Sequence, residues 1–181
     1  MNREDALVLV KDHLRNKNLV KHCLAVEACM RTLAVRFGQD PEIWGLAGLL
    51  HDLDYELTEK SPDLHTQETM KIIQDRGLSA EILHAIQAHA GKVPCLIPMD
   101  WSIYAADPLT GLIIAAALMH PEKKLQAIDV EFVKRRYKEK HFARGARREE
   151  IEQCRNLKVE LDEFIGLCLG AMQGIASDLG L

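Results

Sequence analysis

Six side chains able to bind a divalent cation stand in otherwise apolar surroundings: His22 in LVKHCLAV, His51 and Asp52 in AGLLHDLDYE, His65 in LHTQET, His89 in IQAHAG and Asp107 in YAADPL. A polar group placed among Leu, Val and Ala costs free energy unless something satisfies it. One such histidine alone is most often a hydrogen-bonded core residue. Four histidines and two aspartates at five separate places would need five independent satisfied burials, whereas one shared cation site satisfies them together. Imidazole nitrogen and carboxylate oxygen serve zinc, iron, manganese, magnesium, nickel and cobalt, and the ligand set does not distinguish among them. A carboxylate between two such ions often bridges them.

The chemistry open to such a site is hydrolysis at phosphorus. A divalent ion lowers the pKa of bound water from about 15.7 toward 7, and two ions can clamp the attacking and leaving oxygens. Asp52 and Asp54 are the carboxylates nearest this chemistry, Asp54 being placed to orient a ligand histidine or a water. Lys92 lies three residues after His89 and is a candidate phosphate contact. No Gly-rich phosphate loop and no G-x-S-x-G elbow offers a different route.

The elements that must position these residues read as helices throughout. Strand signatures are nearly absent, so the fold class is all-α. Helices are expected near residues 3–15, 19–37 and 41–53, the last opened by Asp40 and Pro41 and apolar nearly all round, hence central. Others follow over 61–77, 80–91 and 101–119, with the segment 92–98 a loop and Pro108 expected to kink or divide the sixth helix after Asp107. From Asp129 the composition turns charged, with helices over 130–142 and 147–176. The whole reads as one domain, 1–181, with a metal-binding core over 18–120 and charged C-terminal helices over 129–181 packed on it.

An isolated His, a His-Asp pair, two further separate His and an Asp preceded by Ala, in that order, resemble the HD-domain superfamily of metal-dependent phosphohydrolases. The resemblance spans residues 22–107. It implies a helical bundle with one or two divalent ions between its central helices. Matched residue by residue, His22, His51, Asp52 and Asp107 correspond to the ligands of the first ion. His65 and His89 correspond to the added pair of two-metal members, with Asp52 bridging. Two departures stand out. The Gly-Ala that often follows the histidine at the position of His65 is replaced by Thr66, Gln67 and Glu68, and the His-Asp-Ile-Gly-Lys pattern reads HDLDYE here, without the lysine.

Totals narrow the function classes. A net charge of −4 and a pI near 6.1 give no whole-chain attraction to nucleic acid or to an anionic membrane. Five cysteines without ligand spacing suggest a reducing cytoplasm. The charged N-terminus does not resemble a secretory leader, and no apolar run approaches the about 18 residues of a membrane span. The expected partner is a small phosphorylated substrate such as a nucleotide, with neither nucleic acid nor membrane. The basic cluster from Lys134 to Arg148 reads as a solvated helix face or as a lid whose arginines fork onto phosphate. His13, His84, His120 and His141 stay outside the pattern, and Trp44 and Trp101 read as core. Two alternatives remain open: a di-iron oxygenase of the same superfamily, and a non-catalytic domain that binds metal or nucleotide.

Overall fold

Helix starts are written into the sequence as side-chain caps. Asn2, Asn16, Asp40, Ser79 and Asp129 each accept a backbone N–H from the first turn that follows them. The computed structural model describes residues 1–181 and contains helices and no strand. In chain order they are α1 (Arg3–His13), α2 (Lys17–Arg36), α3 (Pro41–Leu50), α4 (Tyr55–Thr58), α5 (Gln67–Ile73), α6 (Ala80–His89) and α7 (Pro98–Met119). Then come α8 (Val130–Lys138), α9 (Arg148–Ile151), α10 (Leu161–Gly174) and α11 (Ala176–Leu179), with 3-10 turns at Pro62–Leu64, Leu125–Ala127 and Glu152–Leu157.

The centre is α3, buried on all sides and packed between α1, α2 and α6. Its approach to α2 is set by Gly48. A Cβ there would lie 2.9 Å from the backbone of Val26 and Glu27, so any side chain would push the two helices apart. Helix α7 lies across α2 and α6, and α10 closes the other side against α2 and α7. One contiguous apolar core runs from Ala6 to Leu179 and includes Phe164, Ile165 and Leu169 of the C-terminal part. Each large aliphatic side chain fully buried there contributes about 1.5–3 kcal/mol. Trp44 belongs to this core, whereas Trp101 is only partly buried against it.

Four helix expectations are corrected. Pro108 does not divide α7, which runs unbroken over 22 residues. A proline inside a helix costs about 3 kcal/mol, and burial of Ala105, Ala106, Leu109, Leu112 and Ile113 around it outweighs that cost. Helix α7 also begins earlier than expected, because Pro98 occupies a first-turn position that needs no N–H donor. Asp100, already inside the helix, caps it by accepting from the N–H groups of Leu96 (2.8 Å) and Ile97 (3.1 Å). The expected helix over 61–77 is a 3-10 turn and α5 separated at His65 and Thr66, where Thr66 takes a left-handed φ of +70°. The charged C-terminal stretch does not hold two long helices. Helix α8 stops at Lys138, and Lys158, at φ +57°, breaks the 147–176 segment so that Val159 can turn into the core.

Without a break at Pro108, α7 is long and apolar enough to cross a membrane by length and composition alone. Most of it is buried inside the fold, and it carries Asp100 and Asp107.

Candidate metal centre

Five elements deliver the six polar residues to one place. His22 comes from α2, and His51 and Asp52 from the turn that ends α3. His65 lies between the 3-10 turn and α5, His89 is the last residue of α6, and Asp107 is midway along α7. His51, Asp52 and His89 are buried, and all six except His51 border a cavity of about 560 Å³ open to solvent. His65 therefore sits in a turn, not in the helix expected for it.

The ligand atoms form two groups that share one residue. On one side His22 Nε2 lies 2.9 Å from Asp107 Oδ1 and 3.2 Å from His51 Nε2. Asp52 Oδ2 completes this group at 3.5 Å from His22 and 3.4 Å from His51. On the other side His65 Nε2 and His89 Nε2 are 3.2 Å apart, with Asp52 Oδ1 at 3.3 and 3.5 Å from them. Atoms held at ~2.1 Å from a common ion are separated by ~3.0–3.4 Å, so each group has the spacing of a coordination shell. The two oxygens of Asp52 are divided, one to each group.

The orientation of the four imidazoles is set from behind. His51 Nδ1 donates to Gly48 O at 2.8 Å and His89 Nδ1 to Ile86 O. His65 Nδ1 donates to Asp54 Oδ1 at 2.8 Å. His22 Nδ1 donates to the hydroxyl of Thr110 at 3.2 Å, and that hydroxyl donates in turn to Asp107 O at 2.8 Å. With every Nδ1 carrying its proton outward, all four Nε2 lone pairs point inward, the tautomer that metal ligation requires. In that neutral tautomer the Nε2 lone pairs 3.2 Å apart repel, and positive charge between them, from an ion or from added protons, removes the conflict.

Without an ion, protons supply the positive charge. Burial works against a charged His51, yet the carboxylates of Asp52 and Asp107 outweigh it and push its pKa up to about 9. His65 is also opposed by burial and rises to about 9 beside Asp52 and Asp54. Burial would raise Asp52 and Asp107, but the charge and hydrogen bonds of the surrounding histidines hold both well below the usual carboxylate range. The pocket demands positive charge, and donor type, spacing and tautomer all fit divalent ions.

The remaining candidates fall into distinct places. Asp54 is wholly buried, and its second oxygen accepts from Thr69 N at 3.0 Å, so it orients His65 and does not face the cavity. This is the geometry of a carboxylate that positions a ligand histidine. Lys92 borders the cavity, but its ammonium donates to the carbonyls of Pro62 and Asp63 at 3.1 Å each, strapping the 3-10 turn that precedes His65. Two of its three N–H donors are engaged there, so a phosphate contact by Lys92 would use the third. His84 pairs with Asp100 at 3.0 Å, His13 donates to Leu9 O, and His120 packs on Phe132, all away from the cluster. His141 sits beside Arg144.

Sequence reading overlooked three contributors. Thr110 follows Asp107 at helical i+3 spacing, a signal that was available. Tyr55 and Glu150 line the cavity, and only the tertiary arrangement brings them there.

The HD domain family model matches residues 19–117, more than half of the chain, and the protein belongs to that family of metal-dependent phosphohydrolases. That membership implies divalent metal binding and points toward hydrolase chemistry. Among curated proteins, the chain is similar to Ribonuclease Y 2 of Levilactobacillus brevis, 28% identical over 95 residues that cover 52% of this chain and 18% of that protein. Ribonuclease Y of Oleidesulfovibrio alaskensis is 29% identical over 96 residues, 53% of this chain and 18% of that protein. Ribonuclease Y 1 of Pediococcus pentosaceus is 28% identical over 129 residues, 67% and 25% of the two. The chain thus spans roughly a fifth of the length of these relatives. No solved structure matches it.

Proposed function

We propose that the protein hydrolyses a phosphate ester or anhydride of a small molecule, with nucleotides among the candidates, using two divalent ions. The observation that carries this is the division of the Asp52 oxygens between two ligand groups, one made with His22, His51 and Asp107 and the other with His65 and His89. When bound, the ions supply an activated water and neutralise charge building on the phosphoryl oxygens. The chain's own residues do the rest. Gly48, Ile86, Asp54 and Thr110 hold the histidines in register, and the apolar core behind them excludes water from the inner face.

The cavity wall supports the order of binding. Asp52, Asp63, Asp107 and Glu150 line it against Lys92, Arg147 and His65, so without ions it offers phosphate little attraction. Two divalent charges make it strongly attractive. The size, about 560 Å³, suits a small phosphorylated molecule. Part of the basic cluster is committed within the chain, which supports a small substrate over a long nucleic acid: Lys134 pairs with Glu131 and Asp162, Arg136 with Glu139, and Arg148 is consumed by backbone carbonyls. Five unpaired cysteines are consistent with a reducing, cytoplasmic setting.

The test is elemental analysis of protein purified without chelator, together with hydrolysis of aryl mono- and diesters, nucleotides and a short RNA in added manganese, iron or zinc. About two ions per chain and turnover of small phosphates are expected. Two irons with oxygen consumption and no hydrolysis would transfer the site to oxygen chemistry, and cleavage confined to RNA would overturn the small-substrate reading.

A further inference from the structure

Arg147 and Glu150 lie on the cavity wall outside the stretch that matches the family model, on the segment between α8 and α10. Their neighbour Arg148 shows how that segment is held. Its guanidinium donates to the carbonyls of Arg136, Tyr137, Glu139, Phe142, Ala143 and Ala146 and to no carboxylate. Six backbone acceptors gathered by one side chain make the loop before α9 a fixed object, and the preceding side chain, Arg147, lines the cavity.

Arg147 itself is only lightly engaged. Its side chain is 61% exposed and its partner is Glu150, at 2.6 Å. Glu150 is the unusual member, 8% exposed, facing the ligand Asp107 across the cavity, and burial raises its pKa further. A nearly buried carboxylate beside other carboxylates is costly to keep, and Arg147 is what compensates it. The guanidinium end of the pair stays exposed, so an anion in the cavity can reach it and compete with Glu150 for its donors.

We propose that Arg147 is the specificity residue of the site, anchoring a second phosphate of the substrate that the metal centre does not hold, and that Glu150 occupies its guanidinium until that phosphate arrives. This rests on the phosphohydrolase reading above. It assigns the substrate class: a molecule with two anionic phosphoryl groups, one at the ions and one at the rim. The planar fork of the guanidinium matches a terminal phosphate in two parallel hydrogen bonds, which a lysine cannot reproduce.

The experiment is calorimetric binding of inorganic pyrophosphate to manganese-loaded protein, with KM and kcat measured in parallel for an aryl phosphate and for a substrate with two phosphates. Arg147→Ala should weaken pyrophosphate by about 10- to 100-fold and raise KM for the two-phosphate substrate at least tenfold more than for the aryl ester. Glu150→Gln should act in the opposite direction, tightening pyrophosphate about two- to fivefold by freeing the guanidinium. Arg147→Lys should recover only part of the loss. Arg144→Ala, whose side chain pairs with His141 on the surface, is the neutral control. Equal pyrophosphate affinity in wild type and Arg147→Ala, weakening in both the Arg147 and Glu150 variants, or no pyrophosphate binding by wild type would each overturn the assignment. If wild type binds pyrophosphate through Arg147 but turns over no phosphate, the rim site stands and the hydrolase reading fails.

Discussion

The two halves of the metal centre are built differently. His22 and Asp107 stand inside long helices, and His51 ends the most buried one, whose distance from α2 is set by Gly48. His65 stands in a turn of left-handed backbone, held by the Asp54 carboxylate, the Thr69 amide and the Lys92 strap on Pro62 and Asp63. One half is placed by packing of the core helices. The other joins His89, buried at the end of α6, to a local device at the rim. The difference teaches that His22, His51 and Asp107 are positioned by core packing, whereas His65 is positioned by single polar residues that can be changed without touching the core.

The largest effect should come from the residue common to both halves. Asp52→Ala is expected to reduce activity at least about a thousandfold and bring bound metal close to zero, and elemental analysis of the purified variant checks it. Retention of two ions per chain would break the idea of a shared carboxylate. His51→Ala should abolish activity with loss of metal from its own half, while His84→Ala changes neither quantity.

Next in size is Asp54→Asn. It should weaken metal at the His65 and His89 half by about 10- to 100-fold and leave the other half filled, as measured by competition with a chelator. Equal weakening of both ions would mean that Asp54 supports the whole turn and not one ligand.

The metal-free protein should show the charge imbalance in its stability. His51 and His65 are held near 9, above the ordinary 6.5, so their stabilising contribution is complete below about pH 6.5 and is lost as pH rises through 9. The carboxylates of Asp52, Asp54 and Asp107 are depressed, so theirs is lost only in acid, below 3.8. Melting of chelated protein should therefore fall by several degrees between pH 6.5 and 9.5, and ion-saturated protein should not follow it. A chelated sample equally stable across that range would contradict the charge balance described here. The smallest effect is expected for Lys92→Ala. It should lower the affinity of the His65 half a few-fold through a looser 3-10 turn, with a stability change of about 1 kcal/mol seen in urea.

Much of this was legible in the order of residues. Polar ligands inside apolar helical stretches are visible because hydrophobic periodicity is local, and N-caps such as Asp40 and Ser79 announce the helices that carry them. The failures share a cause. Pro108 reads as a break, yet the core around α7 supplies more free energy than one proline removes. Lys158 and Thr66 carry no sign of positive φ, because left-handed backbone at a non-glycine residue is imposed by what the flanking segments must reach. The strap that Lys92 places on the carbonyls of Pro62 and Asp63, about thirty positions away, likewise has no local sign.

By itself the sequence determined the helical class, the six candidate ligands and their chemistry, since these depend on residue type and on spacing within a turn or two of helix. Only the tertiary structure decided that the Asp52 oxygens divide between two groups, that every Nδ1 is occupied from behind, that Asp54 serves His65, and that Arg147 and Glu150 face the cavity from a distant segment. Those facts depend on distances between elements far apart in the chain, and such distances come from the packing of the whole core around Gly48 and α3.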